Sequence, residues 1–246
     1  MTKHQVVSPE EWLLQRKQLL EKEKALTHAR EELAAARRAL PWERVEKPYV
    51  FDAVSGQQSL GDLFAGRSQL IVYHFMFGPI SELGCKSCAF WADNFNAATP
   101  HLAQRDVTLL AVSRAPLAKL QAFKARLGWR FNWVSSGQND FNFDFNVTFR
   151  ERDQPSGTLA YNYTPVPKSP VPGNSKGGEW QSPGVSVFCK DEAGAIFHTY
   201  STYSRGLDTL NGTYQFLDLV PKGRDEASLP HPQAWVGFHD EYPQSA

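Results

Sequence analysis

The chain has 246 residues, of which 41% are apolar, 13% aromatic and 21% charged. A chain of this length buries roughly 70 to 75 per cent of its unfolded surface and can build a full core without disulfide or metal staples. Lys and Arg (26) balance Asp and Glu (26), which leaves no basic footprint for collecting phosphates and argues against a nucleic-acid partner.

The first ten residues are polar and lack the basic n-region and apolar h-region of a secretory signal. The longest apolar run, Leu70 to Phe77, is eight residues with a histidine inside it, far short of the roughly 18 that span a bilayer. A soluble, cytoplasmic protein with no membrane partner is expected. Ser8 can cap a helix, Pro9 suits its first position, and Glu11 stands where a capping box needs it. Trp12, Leu19, Leu26, Leu33 and Leu40 then recur every seven residues until Pro41 stops the pattern. A helix of about 31 residues, roughly 45 Å long, with so narrow a seam either lies along its own domain or packs on a second subunit. The expectation taken forward is an arm, residues 1–41, that holds a homodimer together.

From Tyr49 onward short apolar runs alternate with helical patterns, the sign of parallel strands joined by crossover helices. Tyr49 to Phe51 reads as a short strand, Gln69 to Phe77 as a buried central strand, and Cys85 to about Asn96 as a helix, with Thr99-Pro100 kinking it or starting another turn. Val107 to Val112 is the next strand. Leu117, Leu120, Phe123 and Leu127 mark a helix that Gly128 ends, and Phe131 to Val134 reads as a third strand. Residues 137–184 turn rich in Pro, Gly and Ser, with Pro165, Pro167, Pro170, Pro172 and Pro183, and read as a lid or mobile insertion. Val185 to Phe188 and Ala195 to Tyr200 flank a turn ending in Gly194, a β-hairpin. Leu207, Leu210, Tyr214 and Leu217 make the final helix of a domain spanning 42–220, and 221–246 read as a polar tail.

Chemistry concentrates in the cysteines. There are three, Cys85, Cys88 and Cys189, an odd number in a long chain and no disulfide framework. Cys85 and Cys88 form one C-x-x-C where the central strand hands over to its helix. Unpaired amides at a helix N-terminus stabilise an anion, and Lys86 can add to that, so Cys85 is the expected nucleophile and Cys88 the resolving thiol. No cofactor is needed for such exchange, and the partner is a protein or low-molecular-weight thiol or disulfide.

This order of strand, helix, strand, helix, hairpin and helix, with the C-x-x-C at the first junction, resembles the thioredoxin fold: a three-layer α/β/α sandwich with a mixed central sheet. Pro183 stands just before the hairpin, where that fold places a cis-proline facing the dithiol. More narrowly, the helical arm, Tyr73-His74-Phe75-Met76-Phe77-Gly78-Pro79, Gly84-Cys85-Lys86-Ser87-Cys88-Ala89-Phe90-Trp91 and the late Pro221-Lys222-Gly223-Arg224-Asp225-Glu226 resemble a bacterial thioredoxin-like family of unassigned function. That family is related to peroxiredoxin-type, alkyl hydroperoxide reductase-like domains. Here the loop before the dithiol is Ile80-Ser81-Glu82-Leu83, with Ile80 and Ser81 just after Gly78-Pro79 where members often carry aromatic and acidic residues, and Lys86 follows Cys85 where they often carry a proline. A peroxiredoxin needs Pro, then Thr or Ser four residues later, then Cys; counting back from Cys85 gives Glu82 and Gly78 instead. Peroxidase chemistry of that type is therefore disfavoured.

Other readings compete. Two thiolates with an imidazole suit copper(I), and Cys85, Cys88, His74 and His198 are the ligands such a metallochaperone would use. Structural zinc would need two further ligands from histidines far apart in sequence. A third reading is a dimeric binding protein with an idle dithiol. His74 sits in an apolar strand as a core histidine or within reach of the dithiol, and Trp91 is core or a shield for Cys88. Cys189 reads as a buried small hydrophobe, and Arg205, Arg224, His239 and Asp240 as loop charges able to reach a site.

Overall fold

A computed structural model describes residues 4–150, 158–167 and 179–243, and the chain divides into two compact units, 1–42 and 43–246. The first unit is a single helix, α1 (Pro9–Arg38), 30 residues long. Ser8 caps it as its sequence implies, its Oγ accepting from the Glu11 amide at 3.2 Å. No residue of α1 is buried, and Trp12, Leu19, Leu26 and Leu33 are all exposed.

The second unit begins with β1 (Glu43–Arg44), then a hairpin of β2 (Val50–Ala53) and β3 (Gly56–Ser59). The central strand β4 (Gln69–His74) follows, then α2 (Lys86–Ala92), α3 (Phe95–Ala103), β5 (Val107–Ser113), α4 (Leu117–Arg126) and β6 (Asn132–Ser135). The single helix expected from Cys85 is two, broken at Asp93 and Asn94, where the Asn94 side-chain amide donates to the Phe90 and Trp91 carbonyls at 3.1 Å each. Such local bonding competes with the helical ladder. Pro100 lies inside α3 and starts no helix.

The stretch 137–184 is not the structureless insertion its composition suggests. Its described part holds α5 (Phe141–Asp144), β7 (Thr148–Arg150), a small hairpin of β8 (Thr158–Tyr161) and β9 (Thr164–Pro167), and β10 (Glu179–Gln181), which pairs with β7. Pro170 and Pro172 lie outside the described residues. The expected hairpin is β11 (Gly184–Lys190) and β12 (Ile196–Tyr203), turning at Gly194 with φ +84°. The last elements are a 3₁₀ segment over Ser204–Leu210 and α6 (Gly212–Leu217), which Asn211 caps. Residues read as a tail instead send Val236 and Phe238 into the core.

Among the described residues eight strands form one mixed sheet in the order β1-β12-β11-β4-β5-β6-β2-β3. Strands β4, β5 and β6 are parallel, and the β11–β12 hairpin pairs antiparallel on the other side of β4. This is the thioredoxin-like α/β fold. Alternation along the strands builds two cores. Tyr73, Leu109, Ala111 and Val185 face α2, α3 and α4, while Leu70, Val72, Leu110 and Phe188 face Phe51, Phe64 and Phe141. Among the described residues no helix is long and apolar enough to cross a membrane.

Candidate functional site

Antiparallel pairing of β4 with β11 sets His74 opposite Gly184, so Pro183 arrives at the end of β4 where the chain leaves for the dithiol. Beyond β4 the chain stays extended. Phe75 N–H bonds Val112 O at 3.0 Å, Ser113 Oγ donates to Phe75 O at 2.6 Å, and Ala115 N–H bonds Phe77 O at 2.8 Å. It then turns back so that Cys85 N–H bonds Met76 O at 3.1 Å. Gly84 is required there, because a Cβ would stand 2.7 Å from the Phe75 ring and 3.2 Å from Phe123.

Cys85 is the cap of α2: its backbone is extended while its carbonyl accepts from Ala89 N–H at 3.0 Å. Its side chain therefore lies over the first amides of the helix. Cys88, one turn on, is 2% exposed, and its sulfur accepts from Met76 N–H at 3.5 Å. Both thiols are free, and Cys85 keeps partial exposure. The Cys88 thiol hydrogen-bonds to Cys85, and against the cost of burial the amides of Cys88 and Ser87 and the Ser87 hydroxyl add to it. Together they bring the Cys85 thiol down to about 7. Burial, then the bond to Cys85, pushes the Cys88 thiol the other way. One sulfur is prepared to ionise and its neighbour to stay protonated.

A cavity of about 180 Å³ opens beside this pair. Tyr73, Met76, Trp91, Pro183 and Leu207 give it apolar walls, and Cys88 forms part of its lining whereas Cys85 does not. Trp91 is fixed by its Nε1–H donating to Leu207 O at 2.7 Å. Ser87, Ser204, Arg205, Asp208 and Gln233 supply the polar lining. Arg205 and Arg224 share Asp208, at 2.8 and 3.1 Å.

Three readings of individual residues change. Lys86 does not serve the thiolate: its ammonium pairs with Glu241 at 3.4 Å and lies 5.4 Å from the centroid of Phe238. The stabilisation of Cys85 comes from Cys88, the helix amides and Ser87. His74 lies across the sheet from the dithiol, its ring stacked on Phe145 and its Nε2 bonded to Ser186 Oγ at 2.9 Å, and burial pushes it down to about 3. Ser186 continues through Ser201 to His198, so both histidines belong to one internal chain, and the set Cys85, Cys88, His74 and His198 is not brought together. Among the described residues no group of three or more His, Cys, Asp or Glu side chains is placed to hold a metal. Pro183 does border the cavity, but among the described residues no peptide bond is cis, in line with the trans preference of about 0.5 to 1 kcal/mol for X–Pro bonds. Its carbonyl accepts from Tyr161 Oη at 2.7 Å.

Cys189 is half-buried on β11, its thiol pushed up by burial. Of the four loop charges, only Arg205 borders the cavity; His239 pairs with Asp93 at 2.7 Å and Asp240 with Arg126 at 2.7 Å. Tyr73, Ser87, Asp208 and Gln233 were not legible as site residues. Only Tyr73 carried a signal, since strand alternation puts it on the face opposite His74.

Sheet order and dithiol together define a thioredoxin-like domain with a C-x-x-C at the start of its first crossover helix. The chain belongs to the DUF899 family, described as bacterial proteins of unknown function, whose pattern matches residues 1–242. No curated protein matches the sequence. Similar solved structures include a cysteine mutant of peroxiredoxin Q from Xanthomonas campestris, 15% identical, covering 74% of this chain and 98% of that one with a TM-score of 0.45. Peroxidoxin BcpB from Mycobacterium tuberculosis is 12% identical over 71% of this chain and 95% of its own, with a TM-score of 0.43. Peroxiredoxin 6 of Arenicola marina is 12% identical over 70% and 71%, with a TM-score of 0.45. Identities this low carry nothing about chemistry.

Proposed function

We propose that the chain is a thiol/disulfide oxidoreductase in which Cys85 attacks a substrate disulfide and Cys88 resolves the mixed disulfide. The observation that supports this reading is the placement of two free thiols one helical turn apart, Cys85 partly exposed at the N-terminal cap of α2 and Cys88 buried behind it. A thiolate exchanges fastest when its pKa lies near the ambient pH, since a lower value costs nucleophilicity and a higher one leaves too little thiolate. The substrate is a protein or small disulfide. Mild oxidation of purified protein should remove two thiols, those of Cys85 and Cys88, reversibly, and elemental analysis should find no stoichiometric metal. Near-stoichiometric copper that is lost in Cys85→Ser would replace this reading with metal transport.

We further propose that α1 pairs with α1 of a second copy. Its apolar side chains recur every seven residues over 30 residues and stand exposed, and a helix relies on packing such a face for its stability. Leu19→Glu with Leu26→Glu should leave the circular dichroism of the second unit intact and halve the mass seen by light scattering. A wild-type protein that is monomeric at high concentration would defeat the pairing.

A further inference from the structure

The cavity beside the dithiol borders Cys88 and Ser87 and leaves Cys85 out. That asymmetry is unexpected if every partner reacts at Cys85. A sulfur seated in the cavity meets Cys88 first. Once the two cysteines are joined, Cys88 is an electrophile, and its reluctance to ionise no longer matters.

Size and lining narrow the occupant. The cavity offers about 180 Å³ and is half open to solvent, so an amino-acid-sized group can seat in it. The walls near Cys88 are apolar, suited to a short methylene and sulfur, whereas Arg205 and Asp208 present one positive and one negative group on the lining. Arg205 is 80% exposed, so its pair with Asp208 is a surface ion pair of little strength and can be exchanged for another carboxylate. Asp208 keeps Arg224 when Arg205 turns away and remains available to an ammonium.

We propose that a compact aminothiol bearing a carboxylate, of the size of free cysteine, enters this cavity and reduces the Cys85–Cys88 disulfide by attacking Cys88 Sγ. This rests on the dithiol reading above and assigns its two sulfurs to different partners: oxidising substrates too large for the cavity meet Cys85, and the small reductant meets Cys88. The aminothiol loses its proton to solvent. Its thiolate forms a bond to Cys88 Sγ as the Cys85–Cys88 bond breaks, and Cys85 leaves as thiolate. A second aminothiolate then attacks the sulfur bound to Cys88, forming the small disulfide and returning Cys88, which takes up a proton. Two aminothiols supply the two electrons. The helix amides and the Ser87 hydroxyl, which favour a thiolate at Cys85, make it the better leaving group of the pair.

Lys86 makes the test direct, because trypsin cuts after it and puts Cys85 and Cys88 on separate peptides. The full-length protein is first oxidised, and thiol counting establishes the disulfide. It is then mixed briefly with L-cysteine, quenched in acid, alkylated and digested. The cysteinyl group should appear on the Cys88 peptide and the alkyl group on the Cys85 peptide. Arg205→Ala should slow the reaction with L-cysteine by about fivefold, the loss of one charge-assisted contact, while leaving 2-mercaptoethanol, which has no carboxylate, unchanged. A cysteinyl group on Cys85, or an equal effect of Arg205→Ala on both thiols, would overturn this assignment and leave the dithiol reading standing. Absence of the disulfide in the initial thiol count would overturn both.

Discussion

Cys85→Ser should slow reduction of an aromatic chromogenic disulfide, chosen too large for the cavity beside Cys88, by at least about a thousandfold, because removing a nucleophile leaves only binding and proximity effects. Serine cannot replace the thiolate, whose stabilising groups remain in place around an alcohol that does not ionise. Cys88→Ser should behave differently: the first attack survives and the protein stalls as a mixed disulfide on Cys85, seen as one added aryl thiol by mass. The wild-type rate carries a pH signature. Since the Cys85 thiol is brought down to about 7, the reactive thiolate dominates above that pH and is lost as pH falls through it. The rate should therefore drop about tenfold per pH unit below the midpoint and level off above it. A profile rising only near the ordinary thiol value of roughly 8.5 would mean that the helix amides and the Cys88 thiol do not act on Cys85.

Phe75→Ala should cost about 3 to 5 kcal/mol of stability, the range for truncating a buried aromatic. Phe75 is 1% exposed and sits among Trp133 at 4.7 Å, Trp129 at 5.9 Å and Tyr73 at 6.1 Å between ring centroids, with Gly84 pressed against its edge. No neighbour of that size can move into the space without leaving its own contacts. Chemical denaturation with near-UV circular dichroism reads the change. A loss below about 1 kcal/mol would show that the aromatic cluster repacks instead of holding a cavity.

What the sequence disclosed follows the range over which its signals act. The buried runs around Leu70 and Val107, the Ser8 cap, the hairpin closing at Gly194 and the Cys85-x-x-Cys88 pair are each written within a few residues, and period-two alternation correctly set His74 opposite Tyr73. What it hid is tertiary. Lys86 stands beside Cys85 in sequence, yet Glu241 and Phe238, more than 150 residues later, draw its charge away. Nothing near Phe238 announces that it packs on Phe123 at 5.2 Å, so a polar stretch with one buried aromatic reads as a tail. Arg205 and Asp208 reach the cavity only because the 3₁₀ segment after β12 folds over Trp91, a contact across 116 positions made by one hydrogen bond to Leu207. The proline-rich composition near 165 masked strands because, among the described residues, β8 and β9 pair only with each other, an edge arrangement that tolerates Pro165 and Pro167.

The central claim is that Cys85 and Cys88 exchange two electrons as one unit. Equilibrating the protein in thiol/disulfide buffers of graded potential, trapping with an alkylating agent and weighing the tryptic peptides measures this directly. The account predicts that the thiols of Cys85 and Cys88 vanish together along a single two-electron curve, about 30 mV per tenfold change in ratio, while Cys189 does not follow it. Cys85 and Cys88 titrating separately, or remaining reduced across the whole range, would contradict it.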